Sequence, residues 1–360
     1  MSDLANAVGY SAVVFYNTMA QYLRRFSERY LRAATILWVC VAGLCFAEAA
    51  FSLTRTEMYQ ATAPVSDRSE AAQTAAFQNA MRTVLIRVTG RRSADEDPAL
   101  SGLIANARRY VQQYRAAPDS QLWVAFDGPA IERWLTQNGQ PLWGHERPTT
   151  LLLLAVQTAA QSGSVIATED SSELKAAIDA AAAARGLPLV WPSGAELQKY
   201  HIDFATVNSG SPSTFADIGR RMGSDGILVG RASGGTANAN IRWTHLFQDR
   251  SSEYSGTLEG VNRAADLYAG IFAASGSLVP VDIEVTGVSD LRDYASLESY
   301  LESLTFISHV SVESLVGDTV RFRLATRGGG DSLQRALSLN GRLQPVAAGE
   351  NGIQRFQLHH

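Results

Sequence analysis

The sequence predicts an α+β, or mixed α/β, protein built from several small helix-on-sheet domains, the last of them a βαββαβ, ferredoxin-like unit. Three observations carry that expectation. Apolar residues recur at helical spacing in some stretches and alternate in others, so both periods run through the body of the chain. A continuous apolar run, LLLLAV at 151–156, has strand length and reads as buried on both faces. At 360 residues the chain is long for one core and should divide into two or three domains.

The bulk numbers agree with a globular body. Hydrophobic residues make up 46% and charged residues 18%, too apolar for a disordered chain. A net charge of −4 with no basic run argues against a nucleic-acid partner, because phosphate binding needs a concentrated basic face. Among the 31 Lys and Arg only Lys175 and Lys199 are lysines, which reads as codon bias rather than anion recognition. The only cysteines, Cys40 and Cys45, lie in one apolar stretch. The body therefore has no disulfide framework, CxxC site or thiolate cage, and no cofactor is expected.

Residues 1–50 have the grammar of an export segment. Arg24, Arg25, Arg29 and Arg32 precede a charge-free stretch at 33–47, and Ala47-Glu48-Ala49 offers small residues to a signal peptidase. A spanning helix needs about 20 apolar residues, so cleavage after Ala49 is favoured over anchoring. Met19 is an alternative start, and Leu44 before Cys45 speaks against a lipoprotein. The mature chain is expected in the periplasm, touching membrane only through this segment if it is retained.

The N-terminal α+β domain, 51–148, opens with a helix in which Asp67 and Glu70 have capping-box spacing. Phe77, Met81, Val84, Leu85 and Val88 share one face, and Gly90 ends the helix. A second helix carries Leu100, Leu103, Ile104, Ala107, Val111 and Tyr114. The strand QLWVAFD and a helix from Gly128-Pro129 to Asn138-Gly139 complete the unit.

The middle α/β domain, 149–278, begins with LLLLAV. A helix follows, capped by Ser171 or Ser172 and ended by Gly186-Leu187-Pro188, then a strand at 189–191 and a helix at 215–222. Strands at 227–232, 241–247 and 254–258 and a final helix give the order β-α-β-α-β-β-β-α, which implies a mixed sheet. The third domain, 279–348, gives βαββαβ with Gly317-Asp318 at the central turn. Residues 349–360 read as a flexible tail.

Several motifs are bland when weighed. Ser172-Glu173-Leu174-Lys175 matches S-x-x-K but lacks the companion motifs of penicillin-recognising enzymes, so a helix cap explains it. The glycines of 226–235 precede a strand rather than a helix, which suits a hairpin and not a phosphate loop. The six histidines show no H-x-x-x-H spacing, so no metal site is expected. The candidate interaction patch is Trp143, His145, Glu146 and Arg147, where an aromatic, an imidazole, a carboxylate and a guanidinium meet at a domain junction. The plain alternative is that Trp143 packs inward and Arg147 pairs with Glu146 or caps a helix end.

MYQATAPV, LIRVTG, YVQQY, LWVAFD and LWGHERPTTLLLLAV, with ARGLPLVWP and VTGVSDLRDYASLESYL, resemble the exported proteobacterial family known as domain of unknown function 2066. The resemblance implies location and boundaries, and no chemistry. In element order the middle domain is similar to the N-terminal domain of Tol-type periplasmic proteins, a likeness of fold alone. Together these features predict a non-enzymatic accessory module that binds an envelope protein or a cell-wall component. A small-ligand binder, or an envelope hydrolase using the Trp143–Pro148 junction, is the alternative.

Overall fold

The computed structural model describes residues 55–157, 163–233, 239–248, 250–339, 342–347 and 353–359. The segment expected to direct export, both cysteines and the expected Gly234-Gly235 turn lie outside them. From Phe51 onward the chain forms one compact unit. Among the described residues the strands make three sheets, with helices packed against them, a mixed α/β architecture.

The first sheet has the order β1-β3-β2 and is antiparallel, from β1 (Gln60–Pro64), β2 (Val111–Ala117) and β3 (Gln121–Phe126). Helix α1 (Glu70–Thr89) packs on it through Phe77, Met81, Val84, Leu85 and Val88. The cap of α1 is Ser69, whose hydroxyl accepts from Ala72 N at 3.1 Å, while Asp67 accepts from Ser69 N. The capping residue thus sits two positions beyond the predicted Asp67. The predicted second helix also ends early. Asn106 closes a five-residue helical turn, Ser101–Ala105, and from Val111 the chain is β2. Pairing with β3 decides this, since Asp119 and Ser120 both take left-handed φ and fold the two segments into a hairpin. Helix α2 (Gly128–Gln137) follows, capped by Asp127.

The middle sheet runs β5-β4-β7-β8-β9, with β6 also on β4. Its members are β4 (Thr150–Gln157), β5 (Ser164–Val165), β6 (Leu189–Val190), β7 (Gly226–Ser233), β8 (Ile241–Phe247) and β9 (Arg250–Ser255). Strands β4, β6 and β7 are parallel and the others antiparallel. The LLLLAV run divides between two cores, as burial on both faces requires. Leu152 and Leu154 join α3 (Glu173–Arg185) and α7 (Glu259–Phe272), whereas Leu151 and Leu153 meet the side of α4 (Gly194–Lys199), α5 (Phe204–Ser209) and α6 (Pro212–Arg221). Ser172 caps α3 and Gly186, at φ 62°, ends it.

The third sheet has the order β11-β12-β10-β14-β13, from β10 (Leu278–Thr286), β11 (Ile307–Val316), β12 (Thr319–Arg327), β13 (Leu343–Val346) and β14 (Gln354–Leu358). Helices α8 (Leu291–Ser303) and α9 (Gly329–Leu337) cover one face. This corrects the ferredoxin-like expectation. In that topology the strand after the second helix lies directly beside the first strand, but here β14 takes the place, parallel to β10, and displaces β13 to the edge. The expected flexible tail is therefore partly a strand, because Phe356 and Leu358 alternate into the core. Among the described residues no helix is long and apolar enough to cross a membrane.

Candidate functional site

The Trp143–Pro148 segment lies where the three sheet units meet. Leu142 exchanges both backbone hydrogen bonds with Ala274, and Trp143 N donates to Val88 O at 2.7 Å. These fix the segment between the end of α1 and the entry to the third sheet. Trp143 is fully buried in the middle core.

Arg147 is buried as well, with no carboxylate in hydrogen-bond reach among the described residues. Its guanidinium donates five bonds to five backbone carbonyls: Nε to Gly144, Nη1 to Arg185 and Gly186, and Nη2 to Arg87 and Trp143, at 2.7–3.1 Å. All five donors of the fork are thus used. Three of the acceptors belong to the C-terminal ends of α1 and α3, where carbonyls lack intrahelical partners and the helix dipole is negative. The cation also stacks on Trp143, 3.8 Å from the ring centroid. Burial, with the neighbouring Arg87 guanidinium adding to it, pushes its pKa down to about 9, so it stays charged at neutral pH.

Two further arginines extend this joint. Arg87 Nη1 donates to the carbonyls of Glu57, Met58 and Gln60, tying α1 to the start of β1 and the residues just before it. Arg185 donates to Gly90 O and to Asp266 on α7 at 2.6 Å, and Arg92 reaches the same carboxylate at 2.9 Å. Gly186 makes the close approach possible, since a Cβ there would lie 2.3 Å from Arg147 Nη1.

His145 and Glu146 face the third sheet unit. Thr305 Oγ1 lies 2.7 Å from His145 Nδ1, Thr305 N donates to Glu146 Oε1 at 2.7 Å, and His145 Nε2 is 3.3 Å from the same oxygen. A hydroxyl, an imidazole and a carboxylate are therefore brought together, the set that hydrolase chemistry would need. The adjoining cavity, lined by Gly144, Glu146, Phe306 and Arg327, measures about 10 Å³, roughly one water. Burial and the nearby Glu146 carboxylate push the Tyr300 hydroxyl up to about 12. The four predicted residues thus come together, but with Trp143 and Arg147 inside the protein and His145 and Glu146 clamped on Thr305.

The Ser172–Lys175 motif is a helix cap, as its simpler reading required. Ser172 accepts from Lys175 N as a helix cap, and Lys175 Nζ pairs with Asp179 at 2.8 Å. Among the described residues no group of three or more His, Cys, Asp or Glu is placed to hold a metal ion.

The surface feature that the sequence did not reveal is at one end of the third sheet unit. Leu291, Leu315 and Val316 are 79%, 60% and 73% exposed, the highest values among the exposed large apolar residues described. Val288 N donates to Asp318 O at 3.0 Å, which brings the start of α8 against the β11–β12 turn. Leu315 pairs with Val320, so it lies on the sheet face that α8 covers, at the end where α8 begins with Leu291. Asp290 and Asp293 flank Leu291 in sequence, with the exposed Arg292 between them, and both are engaged at the start of α8, while Asp318 sits in the β11–β12 turn. Apolar residues either side of a Gly-Asp turn were the available signal in the sequence.

The fold and these two regions define a mixed α/β protein of three fused sheet units with a closed arginine joint and one apolar tip. Residues 53–144 match the family described as Domain of unknown function (DUF8605). Over that quarter of its length, the first sheet unit and the start of the joint, the chain is similar to that family. This overturns the resemblance to domain of unknown function 2066. The phrases that suggested it, such as LIRVTG and LWVAFD, are a helix end and a strand, features that many unrelated chains share. No curated protein and no solved structure matches the chain.

Proposed function

We propose that the chain is an exported, non-catalytic accessory protein that docks another protein of the cell envelope through the tip formed by Leu291, Leu315 and Val316. The exposure of these three side chains carries the reading. Large apolar residues left in water at one place mark an interaction surface, and burying each one fully contributes about 1.5–3 kcal/mol. The occupant is a protein groove that is apolar at its centre and basic at its rim, complementary to Asp290, Asp293 and Asp318. An anionic membrane surface would be repelled by the same carboxylates.

Addition of a partner strand is a weaker mode here. Strand β11 is an edge, but its register shifts at two points, and β13 at the other edge carries Pro345. Bulges and proline are the devices that keep sheet edges from pairing. Side-chain docking at the tip is the better-supported mode.

A photo-crosslinking residue at Leu315, compared with one at the remote exposed Tyr114, tests this in cells. One envelope protein captured at 315 and absent at 114, and lost in a Leu291→Asp, Val316→Asp variant, is expected. Capture that survives both charges, or no protein adduct at 315, overturns the proposal. Recovery of the mature chain in the cytoplasm would remove the exported part of the reading.

A further inference from the structure

A second surface stands apart from the joint and the tip. Between the α5–α6 connection and strands β7–β9 lies an open cleft of about 480 Å³, within the size range of small-ligand sites. Asn208, Arg231, Arg242, Thr244, Glu253 and Tyr254 are among its lining residues.

The two arginines are its unusual feature. Arg231 and Arg242 are direct cross-strand partners on β7 and β8, so they share a face. Like charges placed opposite one another in this way destabilise a sheet. On β7 the position of Arg231 is in phase with Ile227 and Val229, which enter the core beneath α6. A guanidinium has thus replaced an apolar side chain where that core opens to solvent.

Arg231 is held in place. Nε donates to Asn208 O and Nη1 to Thr244 Oγ1, both at 2.9 Å, and its carbon lies 5.6 Å from the Phe215 ring centroid. Nη2 is left for a ligand. Arg242 is exposed and has no hydrogen bond or ion pair among the described residues. Glu253, opposite Thr244, lies on the same face, yet no carboxylate comes within 4 Å of either guanidinium among the described residues. Burial and the nearby Arg242 charge both lower the pKa of Arg231, and Glu253 partly offsets them. Two cations and one anion leave the cleft with a single net positive charge. Helix α6 adds little, because Pro212 has no N–H and Ser211 already caps Thr214.

We infer that this cleft binds the carboxylate of a small organic molecule, held between Arg231 Nη2 and Arg242. The single net charge selects a monoanion, since the Glu253 carboxylate opposes a phosphate dianion. This site is independent of the docking tip, which is on a different sheet.

Isothermal titration calorimetry of the full chain with benzoate, its neutral isostere benzamide and phenyl phosphate tests the inference. Benzoate should bind, benzamide should not, and phenyl phosphate should bind more weakly than benzoate. Arg242 is exposed, so Arg242→Gln keeps the fold, as a matching thermal melt will verify. It removes a charge-assisted contact, and benzoate affinity should fall by about tenfold or more. Equal affinity in Arg242→Gln, equal binding of benzamide, stronger binding of phenyl phosphate, or no benzoate binding at about 10 mM, each overturns it.

Discussion

Replacing Arg147 by methionine keeps much of the side-chain volume and removes all five donors. The carbonyls of Arg87, Trp143, Gly144, Arg185 and Gly186 then lose a charged partner in a site closed to water. A hydrogen bond to a charged group contributes about 1.5–3 kcal/mol, but five bonds from one rigid fork are not additive. Dehydrating the cation offsets part of the gain, as its lowered pKa indicates. A loss of about 3–5 kcal/mol, the usual result of breaking a buried ionic network, is the expected size. Arg147→Lys keeps the charge but can fill at most three acceptors and forfeits the flat stack on Trp143, so about 2–3 kcal/mol is expected. Urea unfolding of both variants reads this directly. With a slope of about 3 kcal/mol per molar, the methionine variant should unfold at least 1 M earlier. A methionine variant within about 1 kcal/mol of the parent would refute the joint as a stabilising element. A lysine variant as stable as the parent would show that charge alone, and not the fork, holds the helix ends.

Two other perturbations test parts of the fold that the joint does not touch. Burial lowers the pKa of His245 to about 4, and its Nε2 lies 3.0 Å from the Tyr268 hydroxyl. A depressed histidine pKa means that the folded state binds fewer protons than the unfolded one. Stability from this residue is therefore full above about pH 6.5, falls as the pH drops, and levels off below about 4, a change of up to about 3 kcal/mol. Urea midpoints at pH 7.5 and 4.5 should diverge less in His245→Gln than in the parent, and equal divergence contradicts the assignment. Phe356 is fully buried in β14, so Phe356→Ala should cost about 3–5 kcal/mol in the same assay. A neutral effect would return residues 353–359 to the status of a tail.

The legible parts of the fold were those with one dominant signal. LLLLAV read as a strand buried on both faces, and Ser171 or Ser172, Gly186 and Gly90 marked helix ends through local chemistry that tertiary contacts did not override. The illegible parts were short or doubly patterned. Val111 and Tyr114 extend the helical stripe of Leu103 and Ala107, yet VQQYRAA is also an acceptable edge strand, and the partner β3 chose between them. Strand β1 escaped because QATAP is five residues of weak strand formers. Strand β14 has two core residues in five, and its insertion beside β10 depends on long-range pairing that no local pattern encodes.

The candidate patch shows a different limit. Trp143, His145, Glu146 and Arg147 have the composition of a binding site, and their segment joins the first sheet to the middle one. Composition cannot say which way the donors point. In the folded chain Arg147 has all five donors on carbonyls, so nothing remains for a ligand. Arg231 has two of its three nitrogens engaged and Arg242 none, although neither stands in a conspicuous motif. The useful quantity for an arginine is therefore its unfilled hydrogen-bonding capacity on an open surface, which depends on backbone carbonyls contributed from distant parts of the chain. By that measure Arg147 has no donor left at the junction, whereas the face of β7 and β8, where the carboxylate site is proposed, keeps unfilled donors.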